Sequence, residues 1–315
     1  MQQATGKASL QTEQQQRPDE YPATPFRIGL NLLNPPDFLQ IDDDLLPYRN
    51  LKQEYYRSIF DEVCVAEKQS HAAQLESSQL LVENLRAYHA GVYTFSGGSS
   101  ESGLDMNRAT CNQTGETFSL SGGLPIADIG LLIPDDLVLM SRDETGWRLT
   151  AASLSFPSSW SLKDKFSKCM DRIHRPVPLS LQMGSRITRI FDSLRPKMPV
   201  WRSNWSLDGN GELRHERFEN QPRKSGQRLK GNVHLRTEFQ TLHKLPVSGD
   251  ILFTIRIRSN PITRFADSER GRQKLVMLHR QYLAMSDAER DYKGINRNAE
   301  GLMAWLEEVE RQSHG

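Results

Sequence analysis

The stretch VHLRTEFQTLHKLPVSGDILFTIRIRS, residues 233–259, decides the fold class. In its first half Val233, Leu235, Thr237 and Phe239 fall to one side of an extended chain and His234, Arg236, Glu238 and Gln240 to the other. The cause is that successive side chains on a strand point to opposite faces. In its second half Ile251, Phe253, Ile255 and Ile257 oppose Leu252, Thr254, Arg256 and Arg258. The intervening HKLPVSG carries the proline and glycine of a hairpin turn. The pattern predicts an antiparallel pair with one apolar and one charged face, and it puts His243 in the turn, at the surface.

Working outward, LVLMSRDETGWRLTAASLSF (137–156) alternates around a polar turn at Asp143 to Gly146, a second hairpin, and WRSNWSL (201–207) is a further strand. Helices surround these strands. Apolar residues recur at three and four spacings from Leu46 to Cys64 and from Ser70 to His89, through Leu75, Leu80, Leu81, Leu85 and Tyr88. Residues Gly91 to Gly123 are rich in Ser, Gly and Thr and predict an extended connection with short strands. After Pro157, with Ser158 or Ser159 as cap, the spacing of Leu162, Phe166, Cys169 and Ile173 predicts a helix that Pro176 and Pro178 end. Leu179 to Leu194 predicts another. The C-terminal GLMAWLEEVERQ presents Leu302, Trp305, Leu306 and Val309 as a docking stripe. Hairpin-linked strands with helices before, between and after them make an α+β protein.

Composition narrows the function. The 315 residues hold 40 Lys+Arg against 39 Asp+Glu, a net charge of +1, so nothing global favours nucleic acid or an anionic membrane. No apolar run approaches the roughly 18 residues of a transmembrane helix. MQQATGKASLQTEQQQRPDE lacks the basic start and apolar middle of a secretory signal, so the expected location is cytoplasmic. Residues 1–20 are too polar to bury and predict a disordered tail, with one folded domain over 21–315. Cys64, Cys111 and Cys169 are odd in number and widely spaced, which predicts reduced thiols. No glycine-rich phosphate loop or GxGxxG is present, so nucleotide chemistry is not expected.

Several residues are candidates for chemistry. His174 stands within CMDRIHRPVP, residues 169–178, where a helix-like segment is stopped by Pro176 and Pro178. It serves either as a cation at a helix C-terminus or as an axial metal ligand held by the rigid proline exit. Arg202, Arg236, Arg256 and Arg258 lie on predicted strands, either on a solvated face or, if covered, in need of anionic partners such as the propionates of a haem. Asp135 and Asp136 form either a turn before a strand or a carboxylate pair for acid/base work. Trp160, Trp201 and Trp205 fit a core better than a stacking platform. His234 and His243 are rivals to His174, both expected at the surface beside basic residues.

Five ordered segments carry more. FPSSWSLKDK (156–165), IHRPVP (173–178), RSNWSL (202–207), LRTEFQTLHKLPVSGDILFTIR (235–256) and AMSDAERDYKGI (284–295) resemble the haem-dependent oxidative N-demethylase family, and GLNLLNPPDFLQIDDDLLPYRNLK (29–52) is similar to its N-terminal region. The resemblance implies haem b in a PAS-like antiparallel sheet with flanking helices. It also implies O2 as oxidant, electrons from a separate flavin and iron-sulfur reductase, and demethylation of a small secondary amine such as dimethylamine to methylamine and formaldehyde.

Residue by residue, the resemblance makes His174 the proximal iron ligand. It assigns Arg202 and Arg256 to the cofactor, Arg236 and Glu238 to the active site, and Asp136 as a carboxylate for the amine. Asp135 stands where the family has Glu, and Phe239 and His243 stand where it commonly has other residues. The segment from Arg214 to Lys230 is long. Two other classes share these features in part: a haem-binding sensor or storage protein without turnover, and a haem-free interaction domain.

Overall fold

A computed structural model describes residues 29–97, 107–158, 160–169, 173, 180–216, 233–293 and 299–313. His174, the tail over 1–20 and most of the 209–231 loop lie outside the described residues. The organising element is a seven-stranded sheet in the order β1-β8-β9-β10-β6-β7-β2, all neighbours antiparallel. Its strands are β1 (Asn31–Leu32), β2 (Cys64–Ala66), β6 (Asp136–Asp143), β7 (Gly146–Ser153), β8 (Val200–Asp208), β9 (His234–Lys244) and β10 (Ile251–Pro261). A separate three-stranded sheet, β3 (Tyr93–Ser96), β4 (Arg108–Cys111) and β5 (Thr117–Ser119), forms within the Ser- and Gly-rich region. With the helices, this is the expected α+β architecture.

Both predicted hairpins form. Asp143 pairs with Gly146, which takes a left-handed φ of +111° that glycine tolerates, and the Asp143 carboxylate accepts the backbone N–H of Thr145 inside the turn. In the second hairpin the strands run further than the sequence pattern suggested. Lys244 pairs with Ile251, so His243 is a strand residue and the turn is confined to residues 245–250.

The expectation of one apolar and one charged face is corrected by register. Partners across β9 and β10 sum to 495 (244 + 251), an odd number, so odd residues of β9 share a face with even residues of β10. Leu235 and Phe239 thus lie with Thr254 and Arg256, while Arg236 and Glu238 lie with Ile255 and Ile257. Both faces are mixed, and both are covered.

On the Phe239 face, α3 (His71–Tyr88), α4 (Pro125–Gly130) and the small sheet pack Leu81, Leu85, Ile126, Ile129 and Phe118 against Leu137, Leu139, Trp201 and Leu252. Further along, α7 (Glu269–Ala284) and α9 (Ala299–Gln312) set Leu275, Leu278, Leu302, Leu306 and Val309 on Trp205, Leu207 and Leu235. Each such side chain contributes about 1.5–3 kcal/mol by leaving water. On the opposite face α6 (Ser180–Ser193) packs Phe191, Ile187 and Ile190 against Val138, Met140, Leu242 and Ile251.

One predicted helix is much shorter than expected. Between Leu162 and Cys169 only α5 (Leu162–Lys165) is helical. Phe166 turns out at ψ 136°, Ser167 adopts φ +58°, and the chain then joins the sheet edge, where Ser167 N–H donates to the Leu149 carbonyl and Cys169 bridges Arg148. Backbone pairing with β7 outweighs the helical spacing of the apolar residues. The Ile173 N–H donates to the Cys169 carbonyl.

Candidate functional site

Strands β8 and β9 gather the polar residues. Their register sums to 442 (200 + 242), an even number, so the even residues of both strands share one face: Arg202 sits opposite Gln240, Asn204 opposite Glu238 and Ser206 opposite Arg236. Two amide donors converge on one carboxylate oxygen, since Asn204 Nδ2 and Gln240 Nε2 donate to Glu238 Oε2 at 3.1 and 2.8 Å. The other oxygen, Oε1, lies 3.7 Å from Arg236 Nε. Arg202 is half-buried and its Nε is enclosed without a hydrogen-bond partner. Burial pulls its pKa below the ordinary value, and the Glu238 carboxylate opposes that shift.

Arg236 is fully buried and is held by its surroundings. Its Nη1 and Nη2 donate to the carbonyls of Leu213 and Phe156 at 2.8 and 2.7 Å. It anchors the floor of the cluster beside Glu238.

Asp135 sits in the bend before β6, as the turn reading expects, whereas Asp136 is the first residue of β6, opposite Ile255; both are fully buried. Asp136 accepts the backbone N–H groups of Ser155 and Phe156 at 2.8 and 2.9 Å, one on each oxygen. Burial raises its pKa against the pull of Lys52 and those two donors. Lys52, entirely buried on α1 (Leu45–Ser58), donates to the carbonyls of Gly130 and Ile133 at 3.0 and 3.1 Å and to that of Asp135. The Asp135 carboxylate has no hydrogen bond, and burial lifts its pKa to about 6 despite Arg256 and Lys52.

Arg256 lies on the other face, opposite Phe239, and the anions expected for it come from within the chain. Its Nη2 donates to Asp42 and Asp44 at 2.9 and 3.0 Å, and its guanidinium stacks 4.4 Å over Tyr48. Burial lowers its pKa, but Asp135, Tyr48, Asp42 and Asp44 together outweigh burial and raise it. The structure therefore brings Arg202, Arg236 and Glu238 together, sets Asp136 deeper on the same face, and separates Arg256.

The histidine rivals resolve differently from expectation. His243 is buried, not at the surface: its ring lies 3.8 Å from that of Phe38, its Nε2 is enclosed without a partner, and burial depresses its pKa to about 3. His234 is half-buried opposite Asp208. Trp201 and Trp205 are core residues, as expected, while Trp160 is partly buried. Among the described residues, no group of three or more His, Cys, Asp or Glu side chains is arranged to hold a metal ion. No helix among them is long and apolar enough to cross a membrane.

Sequence reasoning missed Asn204, Gln240 and Lys293. The two amides were within reach of a parity argument once β8 and β9 were paired. Lys293 was not, because it lies on a distant element. Its Nζ donates to Asn204 Oδ1 at 2.8 Å and to the Trp205 carbonyl at 2.6 Å, and burial lowers its pKa to about 7, against the pull of Glu238.

Fold and cluster together define an α+β protein built on one antiparallel sheet, with a charged, half-buried cradle on the β8–β9 face. Within that class, a family model described as haem-dependent oxidative N-demethylase, alpha subunit-like, matches residues 29–303. The chain belongs to this family.

Proposed function

We propose that this protein is a haem b-binding oxidative N-demethylase for a small secondary amine of the dimethylamine type. It would release formaldehyde and draw electrons from a separate flavin and iron-sulfur reductase. The observation that carries the reading is the cradle of Arg202, Asn204, Glu238 and Gln240 inside the matched span. The arrangement of β6 to β10 supports a PAS-like sheet: numbered in chain order, these five strands lie 2-1-5-4-3.

The donor set fits the cofactor at one point in particular. Arg202, with an enclosed Nε lacking a partner, suits an anionic group such as a haem propionate. The Nη groups of Arg236 and Arg256 already have acceptors within the chain, although their Nε atoms are enclosed without a partner as well. His174 would supply a neutral imidazole to the iron. When bound, the haem supplies the redox chemistry with O2, which no side chain can perform.

The protein's own part is binding and orientation. Glu238 is pinned through Oε2 by two amides, so Oε1, 3.7 Å from Arg236 Nε, is the oxygen that would accept an N–H of the amine and fix the direction of its methyl group. Asp136 serves less well as that carboxylate, since it is fully buried and both its oxygens are occupied by backbone donors. Its role is to shape the β6 end of the same face.

The test is an absorption spectrum of protein expressed with haem supply, followed by formaldehyde assay with dimethylamine, O2 and reductase. A Soret band that is lost or shifted in His174→Ala, with formaldehyde release by the wild type, is expected. A band unchanged in His174→Ala sinks the ligand assignment. A haem complex silent toward dimethylamine favours the sensor or storage reading.

A further inference from the structure

The outer edge of β8 is paired with β1 only at Val200 and Trp201. Beyond that point another element takes the edge. The short helix α8 (Asp287–Tyr292) opens with a capping box, in which Glu289 Oε2 accepts the Ser286 backbone N–H at 2.8 Å, and it is tied to α7 by Arg290, whose guanidinium lies 4.4 Å from the Tyr282 ring. This places Lys293 beside β8. Its carbonyl accepts the Leu207 N–H at 3.0 Å, in the manner of a missing strand partner. Its Nζ reaches back to the Trp205 carbonyl and to Asn204 Oδ1, 5.0 Å from the centre of the Trp205 ring.

The consequence lies in Asn204. An amide has two unlike ends, an acceptor oxygen and a donor nitrogen. A lysine on the oxygen and a carboxylate on the nitrogen both demand the same orientation, so the amide cannot reverse without setting Nδ2 against an ammonium and Oδ1 against Glu238. We infer that Lys293 is a positioning residue for the reaction proposed above: through Asn204 it holds Glu238 in the one orientation that presents Oε1 to the substrate amine.

The inference rests on that proposed function for Glu238, but the relay itself is built from distances within the chain. Among the described residues, the charged groups acting on Lys293 include Glu238 on β9 and Arg202 on β8, with Tyr292 acting on Arg202. Burial and Arg202 favour the neutral amine while Glu238 favours the ammonium, with a balance near pH 7. The strength of the relay is therefore sensitive to pH at about 7.

Two measurements test it. In the full chain, the side-chain amide signal of Asn204 in 15N-resolved NMR, assigned by its loss in Asn204→Leu, is expected to move as pH passes through about 7 and to stay fixed in Lys293→Arg. A signal that does not move in the wild type overturns the relay whatever the substrate. In turnover, Lys293→Met and Asn204→Leu are each expected to raise KM for dimethylamine about tenfold with kcat changed less than about twofold. The double variant should be no worse than about twice either single, since both break one chain of contacts. Lys293→Arg should keep KM near the wild-type value. Asn204→Leu leaves the bond from Lys293 to Trp205 in place, so it reports on the relay even where Lys293→Met loosens the strand edge. Wild-type turnover with an unchanged KM in both variants, or an additive loss near a hundredfold, refutes the positioning role. Absence of wild-type turnover refutes the function proposed above instead.

Discussion

His243 offers the sharpest physical test of this fold. Its imidazole lies against Phe38 and opposite Leu252, with Nε2 enclosed and unpartnered, and burial alone depresses its pKa to about 3. In the unfolded chain an imidazole titrates near 6.5. The neutral ring is the form the fold accepts, so its contribution to stability is present above pH 6.5 and is lost as pH falls toward 3. Between pH 7 and pH 5 the unfolded chain gains most of a proton at this site while the folded chain gains almost none. With about 1.4 kcal/mol per pH unit over that part of the window, the linked loss is about 2 kcal/mol, growing to about 4 kcal/mol by pH 3.

His243→Leu removes the titrating group and the unpaired Nε2 while retaining an apolar contact with Phe38. Urea denaturation of wild type and variant at pH 7 and pH 5 measures the difference. The wild type should lose about 2 kcal/mol more than the variant over this interval, and the variant should be at least as stable as the wild type at pH 7. Equal losses in the two proteins would refute the reasoning, because they would mean the ring is hydrated or hydrogen-bonded when folded. The variant's Soret band should match the wild type's, since His243 stands on the face away from Glu238.

Asp135 carries the opposite sign. Its pKa is lifted to about 6, so protonation favours the folded state: the contribution is complete below about pH 4 and is lost as pH rises through 6. Asp135→Asn should match the wild type near pH 4 and exceed it by up to about 3 kcal/mol at pH 8 in the same denaturation assay. A variant less stable at pH 8 would show that the carboxylate is needed against Lys52 and Arg256. Arg256→Met should cost about 1–2 kcal/mol, because the Asp42 and Asp44 carboxylates it leaves behind are partly exposed to water, with haem binding unaltered. Intact stability together with lost haem affinity, measured by haem titration, would return Arg256 to the cofactor.

The strands were legible because their chemistry is local. Alternation, the turn at Asp143 to Gly146 and the proline and glycine of residues 245–250 each sit within a few residues of what they specify. The short α5 was not legible, because the competitor to helix was a backbone partner on β7, remote in sequence, and apolar spacing contains no record of it. Lys293 lies inside AMSDAERDYKGI, a segment already marked by its resemblance to the family, yet nothing local links it to Asn204, 89 positions away. The burial of His243 escaped notice for a related reason. A histidine near a proline-containing turn looks exposed until the strand is extended through it.

The separation of the arginines follows from one property of the hairpin. Alternation shows which residues of a strand share a side, but it says nothing about which side of one strand meets which side of the next. That is set by where pairing starts across the turn, and a shift of one residue exchanges the faces. Here β8 and β9 pair with an even sum, so their charged even positions coincide and build the cradle of Arg202, Asn204, Glu238 and Gln240. The turn at residues 245–250 makes the next sum odd, so Arg256 crosses to the far face, while Ile255 and Ile257 come to lie beside Arg236 and Glu238. The β8–β9 pairing thus groups the residues proposed to meet the amine and the haem, and the turn directs Arg256 to Asp42 and Asp44. Four arginines that look alike along the sequence divide by geometry: Arg202 lies in the cradle beside Glu238, while Arg236, Arg256 and Arg258 donate through their Nη groups to acceptors supplied by the chain, and Nε is enclosed without a partner in Arg202, Arg236 and Arg256 alike.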